Sequence, residues 1–115
     1  KLRNLALPSI FFDTDKANVK REYEDELFQM ALTIKRNNGL TFVLEGHCDE
    51  RGGVQFNLAL GENRAKAVKQ FLMARGISSS RISTVSYGKE RPVSYGHDEE
   101  AWAQNRRANF VITAK

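Results

Sequence analysis

Apolar and polar positions alternate along this chain with periods that change from segment to segment, and those periods lay out its elements. Leu5 to Phe12 (LALPSIFF) is a mostly apolar run that predicts a first strand, with Pro8 near its start where a missing N–H is tolerated. Asp13-Thr14-Asp15-Lys16 follows as a polar turn whose side chains bond readily to backbone. From Val19 to Asn37, the residues Val19, Tyr23, Leu27, Met30, Ala31 and Ile34 recur every three or four positions. That stripe predicts an amphipathic helix with its apolar side in the core. Asn38-Gly39 ends it, Gly39 suiting the left-handed position after a helix. Leu40 to Glu45 is a nearly continuous apolar run, a second strand flanked by others.

The second half repeats the alternation. A second helix is expected from Asn57 or Leu60 to Ala74, buried along Ala65, Val68 and Leu72 with Phe71 beside them, and stopped by Gly76. Gly61 near its start predicts an irregular first turn. Ser78 to Ser80 is a turn, and Arg81 to Tyr87 alternates as a third strand. Gly88 to Gly96, with Pro92, is a loop, and Asp98 caps a short helix to about Asn105. Arg107 to Thr113 closes the chain as a strand, with Phe110 and Ile112 on one face and Asn109 and Val111 on the other. The order β-α-β-α-β-(short α)-β predicts an α+β two-layer sandwich, a mixed four-stranded sheet with two main helices on one face. Right-handed crossovers would make the first three strands parallel neighbours, and the irregular last connection calls for antiparallel pairing.

At 115 residues the chain is one domain, with 41% apolar and 28% charged residues, ordinary for a globular protein. No apolar run approaches the roughly 20 residues that span a bilayer. The sequence begins at Lys1 without a Met, and it reads as a fragment or processed form with residues 1–4 as the end of a flexible tether. A net charge of +4 weakly favours an acidic partner. Cys48 is the single cysteine, so no intrachain disulfide forms.

The stretch richest in chemistry is EGHCDERGGVQFNLALGENRAKAV, Glu45 to Val68. Asp49 lies just past the second strand, and Arg64 lies in the early part of the following helix. A strand and the next helix usually pack together, so the two side chains are expected to converge on one cleft. A carboxylate and a guanidinium held apart complement a zwitterion, an ammonium and a carboxylate on one carbon. The plainer alternative is a structural salt bridge. Against it stands the density of polar groups (His47, Asp49, Glu50, Arg51, Asn57, Arg64) around two glycines and Phe56. A zinc site on His47, Cys48 and Asp49 is disfavoured because consecutive residues of a strand point alternately. Cys48 beside His47 matches no nucleophile signature, and the glycine-rich phosphate-binding fingerprints are absent. A nucleic-acid surface would rely on Arg106-Arg107, a pair that otherwise serves as a surface patch or clamps acidic residues such as Asp13 or Asp15. The sheet lacks the exposed aromatics of RNA-binding modules.

GHCDERG, NLALGENRAKAV, VSYGKERP, GHDE and NRRANFVI, in that order, resemble the OmpA-like family in its peptidoglycan-associated lipoprotein branch. The resemblance covers about Ile10 to Ile112, and Phe12-Asp13-Thr14-Asp15 fits the family's F-F-D-x-D-type turn. It implies non-covalent binding of the peptidoglycan stem peptide at diaminopimelate, whose side chain ends in an ammonium–carboxylate pair, with no turnover and no cofactor. Carried over, Asp49 would accept from the ammonium and Arg64 would fork onto the carboxylate. Asn57 would shape the pocket by hydrogen bonding, His47 and Cys48 would offer backbone groups, and Asp13 and Thr14 would line the opposite wall. Arg51, Leu60 and Arg107 are weaker candidates. The family also implies TolB and other Tol-system partners, and a lipid anchor to the outer membrane upstream of Lys1. Gly53-Val54-Gln55-Phe56 departs from the family's usual Thr-Pro-Glu-Tyr.

Overall fold

The computed structural model describes residues 7–114. The elements run β1 (Ile10–Phe11), α1 (Glu24–Arg36), β2 (Thr41–His47), α2 (Val54–Met73), β3 (Ile82–Gly88), α3 (Glu99–Asn105) and β4 (Arg107–Ala114), with single 3-10 turns at Arg21–Tyr23 and Ser79–Arg81. The proposed tether at 1–4 and the start of the predicted first strand lie outside the described residues. What remains of that strand is the two-residue β1. The first helix starts later than its apolar stripe. Lys20 is extended, a 3-10 turn intervenes, and α1 opens on Glu24, Asp25 and Glu26, which suit the positive end of a helix. Val19 and Tyr23 still pack against the core from outside the helix.

The sheet order is β1-β4-β2-β3, with β2 and β3 parallel and β4 antiparallel to both β1 and β2. The expectation that the first three strands are parallel neighbours is therefore corrected at one place. The β1-α1-β2 passage skips a position, and β4 fills it. Ala108, Phe110 and Ile112 of β4 pair with Gly46, Leu44 and Phe42 and carry the helix-facing apolar set that an interior strand needs. Periodicity along the chain gives each strand's faces but not the order in which strands lie side by side.

Both long helices cover one face. Leu27, Met30, Ala31 and Ile34 of α1 and Ala65, Val68 and Leu72 of α2 share a core with Ile10, Phe42, Leu44, Ile82 and Ala108 of the sheet. Glu45, His47, Tyr87, Arg107 and Asn109 belong to the opposite face. Arg81 ties the end of α1 to the start of β2, donating from Nε to the Leu40 carbonyl and from Nη2 to those of Ile34 and Asn37.

The second helix begins at Val54, earlier than predicted, and runs without interruption through Gly61. Gly61 is there for contact, not for a break. A Cβ added at Gly46 would overlap the Gly61 carbonyl, and one added at Gly61 would collide with Ser86 Oγ. With no side chain at either position, α2 lies directly on β2, which sets how close its first turns come to the loop after the strand. Gly46→Ala should therefore cost about 3 kcal/mol or more by overpacking. Gly53→Ser, which adds a capping hydroxyl in open space, should change stability by less than about 1 kcal/mol. Urea unfolding midpoints of the two variants check the contrast.

Candidate functional site

A cleft of about 230 Å³ opens at the C-terminal end of β2, lined by Thr14, Asp15, Asp49, Arg51, Gly52 and Phe56. One wall is the 13–16 turn, closed by Lys16 N–H donating to the Asp13 carbonyl. Asp15 takes a left-handed conformation there (φ 59°), which Asp tolerates better than most residues. The other wall is the loop from β2 into α2, where Gly52 has φ 91°. Asn57 holds that loop from beneath, its Nδ2 donating to the carbonyls of Arg51 (2.8 Å) and Gly53 (3.1 Å). The Cys48 thiol donates to the Asn57 carbonyl, and Lys89 Nζ donates to that of Gly52.

Asp49 is 7% exposed and heavily solvated by protein donors. Its Oδ1 accepts from the Arg51 backbone N–H (3.0 Å) and Nε (3.4 Å), and its Oδ2 accepts from Arg51 Nη2 (2.9 Å). Arg106 Nη1 lies 3.5 Å from the same Oδ2. Burial pushes the Asp49 carboxyl up, but the Arg51 hydrogen bonds and charge, with Arg106, outweigh it and hold the group below its ordinary value. Arg106 is itself fixed, donating to the Phe12 carbonyl and to the Glu99 carboxylate. Arg51 is the looser partner, its side chain 41% exposed.

Arg64 lies behind the cleft and does not line it, which corrects the expectation that both ions open onto one surface. It is 1% exposed. Its Nε donates to the Lys16 carbonyl (2.8 Å), Nη1 to that of His47 (3.0 Å) and Nη2 to that of Asp13 (3.0 Å). One guanidinium thus joins α2, the end of β2 and the 13–16 turn. Three of its five N–H groups are used, and among the described residues no carboxylate stands within salt-bridge distance of it. Burial disfavours its charge.

The other predicted residues divide. Thr14 and Arg51 line the cleft, and Arg51 Nη2 reaches Thr14 Oγ1 at 3.4 Å. Asp13 contributes its carbonyl to Arg64 and turns its carboxylate to Lys20. Leu60 is half-buried and outside the cleft lining. His47 points to the opposite face of the sheet, bonded to Glu45 and stacked on Tyr87, and contributes only its carbonyl on the cleft side. Cys48 is buried, and its thiol is pushed up to about 11 by burial, so it is not a poised thiolate. Arg107 is buried, donating to the carbonyls of Asn105 and Arg91. With Arg106 also buried, the basic pair offers no exposed patch. Among the described residues no three His, Cys, Asp or Glu side chains gather as metal ligands would.

Sequence reasoning did not assign α3 a role at the site. Trp102 Nε1 donates to Glu50 (2.8 Å), and the Trp102 ring lies under the Arg51 guanidinium, 4.0 Å from Cζ to ring centroid. Glu50 also pairs with His97. Together with the Arg106–Asp49 contact, these brace each residue of Asp49-Glu50-Arg51 from α3 or its approach. The one sequence signal was the acidic and aromatic content of GHDEEAW.

Comparison with known proteins gives concordant matches. A model of the OmpA family matches residues 11–106. The peptidoglycan-associated lipoprotein of Pseudomonas aeruginosa is 49% identical over 105 residues, 91% of this chain and 62% of that protein. The one from Mesorhizobium japonicum is 46% identical over 104 residues, 90% and 62% of the two chains. The chain thus spans less than two thirds of these relatives' length. The crystal structure of the peptidoglycan-associated lipoprotein from Burkholderia pseudomallei superposes with a TM-score of 0.89 at 43% identity, covering 91% of this chain and 89% of that one. The C-terminal domain of Helicobacter pylori MotB shares the fold, with a TM-score of 0.87 at 18% identity, covering 96% and 87%.

His47 gives this end of the sheet a pH signature. Burial lowers its basicity from the ordinary 6.5, against the raising effect of the Glu45 hydrogen bond. The native state therefore binds fewer protons than the unfolded chain as pH falls, so the stability this group contributes is complete above about pH 6.5 and is lost as pH drops through the native value. Urea midpoints should decline as pH falls below about 6.5, and His47→Gln should flatten that decline. An unchanged slope in the variant would contradict the assignment.

Proposed function

The chain belongs to the OmpA family, and from that premise we propose that it is a non-catalytic peptidoglycan-binding module that grips the diaminopimelate side chain of the stem peptide. The observation that carries this reading is a separation of charge. Asp49 is a nearly buried carboxylate at the cleft, its main counter-charge being the exposed Arg51. Arg64 is a buried guanidinium bonded, among the described residues, to carbonyls alone. Buried ions ordinarily have partners of opposite sign, and a zwitterion supplies both at once. Its ammonium takes Asp49. Its carboxylate is drawn by the buried positive charge of Arg64 behind the cleft and by the first turn of α2, which has neither a side-chain cap nor an acidic residue. By contrast α1 opens on three acids and α3 is capped by Asp98. Thr14 and Asp15 form the facing wall, and Phe56, 54% exposed, packs the methylenes between the zwitterion and the peptide.

The names of the relatives, lipoproteins associated with peptidoglycan, support binding to the wall polymer. Within the same proposal the chain works at the periplasmic face of the outer membrane, through a lipid anchor elsewhere in the longer protein. TolB and other Tol-system proteins are its partners there.

Two outcomes follow. Asp49→Asn should weaken pull-down by purified sacculi by at least about 30-fold, since removing one ion of a buried pair costs roughly 2–5 kcal/mol, while circular dichroism stays unchanged. Undiminished sacculus binding would contradict the role. Because Asp49 is held below its ordinary 3.8, affinity should persist at about pH 4 and fall only as pH drops further through the native value of that carboxyl. A binding midpoint above about pH 4 would contradict it.

A further inference from the structure

Resting on the binding mode just proposed, we infer that Arg51 is a selectivity residue of the cleft, an internal stand-in for the ligand ammonium whose displacement favours a ligand that also carries a carboxylate. Every acceptor position of Asp49 is taken in the free protein. Arg51 supplies its backbone N–H, Nε and Nη2, and Arg106 stands at 3.5 Å. A carboxylate has about four lone-pair sites, so an incoming ammonium must replace a donor. Arg106 cannot yield. It is 6% exposed and held by the Phe12 carbonyl and Glu99. The Arg51 backbone N–H is fixed by the loop. The Arg51 guanidinium can yield, being 41% exposed, part of the cleft lining, and joined to Asp49 through one long bond (3.4 Å) and one short one (2.9 Å).

The displaced group has a prepared path. Trp102 lies beneath it, 4.0 Å from Cζ to ring centroid, and is itself anchored by its Nε1 bond to Glu50. Thr14 Oγ1 already accepts weakly from Nη2 across the cleft, at 3.4 Å. The guanidinium can therefore turn off Asp49 while staying on the indole face. Left there, it lacks the anion it had before. A zwitterion corrects this, because its ammonium replaces the guanidinium on Asp49 while its carboxylate receives the guanidinium. The exchange breaks one ion pair and makes two. A plain amine makes one pair and breaks one, leaving Arg51 with only the longer-range charges of Glu99 and Asp15. Arg51 thus sharpens the preference, already set by Arg64 and the first turn of α2, for an amine and an acid on the same carbon.

The test uses two stem peptides of identical sequence, one with diaminopimelate and one with lysine, which differ by a single carboxylate. Calorimetric titration is run against the unaltered chain, Arg51→Ala and Arg51→Lys. The unaltered chain should prefer the diaminopimelate peptide by at least about tenfold. In Arg51→Ala the lysine peptide should bind about fivefold more tightly than before, shrinking the preference, as expected for removing a partly exposed ion-pair competitor. Arg51→Lys, which keeps the charge without the fork, should fall between. The emission of Trp102, the chain's single tryptophan, should change on saturation of the unaltered chain as the guanidinium moves on its face. If the diaminopimelate peptide binds but Arg51→Ala weakens both peptides equally, or if Trp102 emission is constant at saturation, the exchange is wrong and the binding mode stands. If neither peptide binds the unaltered chain, the binding mode itself fails.

Discussion

One guanidinium, that of Arg64, sets the geometry on which the site depends. It leaves α2, enters the interior, and donates to three backbone carbonyls on two other parts of the chain: Asp13 and Lys16 in the turn after β1, and His47 at the end of β2. The Phe12 ring lies 5.3 Å from its Cζ and closes it from the core side. No lysine could replace this, because a single ammonium lacks the planar fork that spans carbonyls pointing from different directions. The turn and the strand end form the two sides of the cleft, so the cleft exists in its observed width because Arg64 holds both. The close contact between Gly46 and Gly61 makes the reach short enough, bringing α2 against β2 one turn before Arg64.

The same device recurs. Arg81 bonds three carbonyls at the end of α1 and the start of β2, Arg106 bonds the Phe12 carbonyl, and Arg107 bonds those of Asn105 and Arg91. Four arginines are thus structural brackets for carbonyls that helix ends and short strands leave without partners. This changes the meaning of the net charge of +4. Part of the basic excess is consumed inside the fold, so the surplus is a poor guide to an acidic macromolecular partner.

The layers of the fold were legible because the stripes through Leu27, Ala31 and Ile34 and through Ala65, Val68 and Leu72 have only one way to be buried. The strand order was not, since nothing in the period of β4 says that it lies between β1 and β2. Gly61 misled for a physical reason: a glycine weakens an isolated helix, yet here it permits contact with another backbone. At the site, Asp49 and Thr14 could be placed from the turn chemistry and the motif. The burial of Arg64 could not, because a charge at the margin of an apolar stripe looks the same whether it reaches solvent or buried carbonyls. His47 and Arg107 fall on the far face through strand alternation, a consequence of the register of β2 and β4. The contribution of Trp102 depends on the return of α3 to the loop after β2, a contact between residues 52 positions apart for Glu50, which no local pattern encodes.

The central claim is that Asp49 and Arg64 together receive the two charges of one zwitterion. The most direct measurement is an NMR titration with free diaminopimelate that follows the side-chain Nε–H of Arg64 and the carboxylate carbon of Asp49. Both resonances should move with one common saturation curve, and the Arg64 Nε–H should become more protected from exchange with water. Shifts confined to the opposite sheet face around Glu45 and Val111, or an Arg64 signal unmoved while Asp49 saturates, would contradict it.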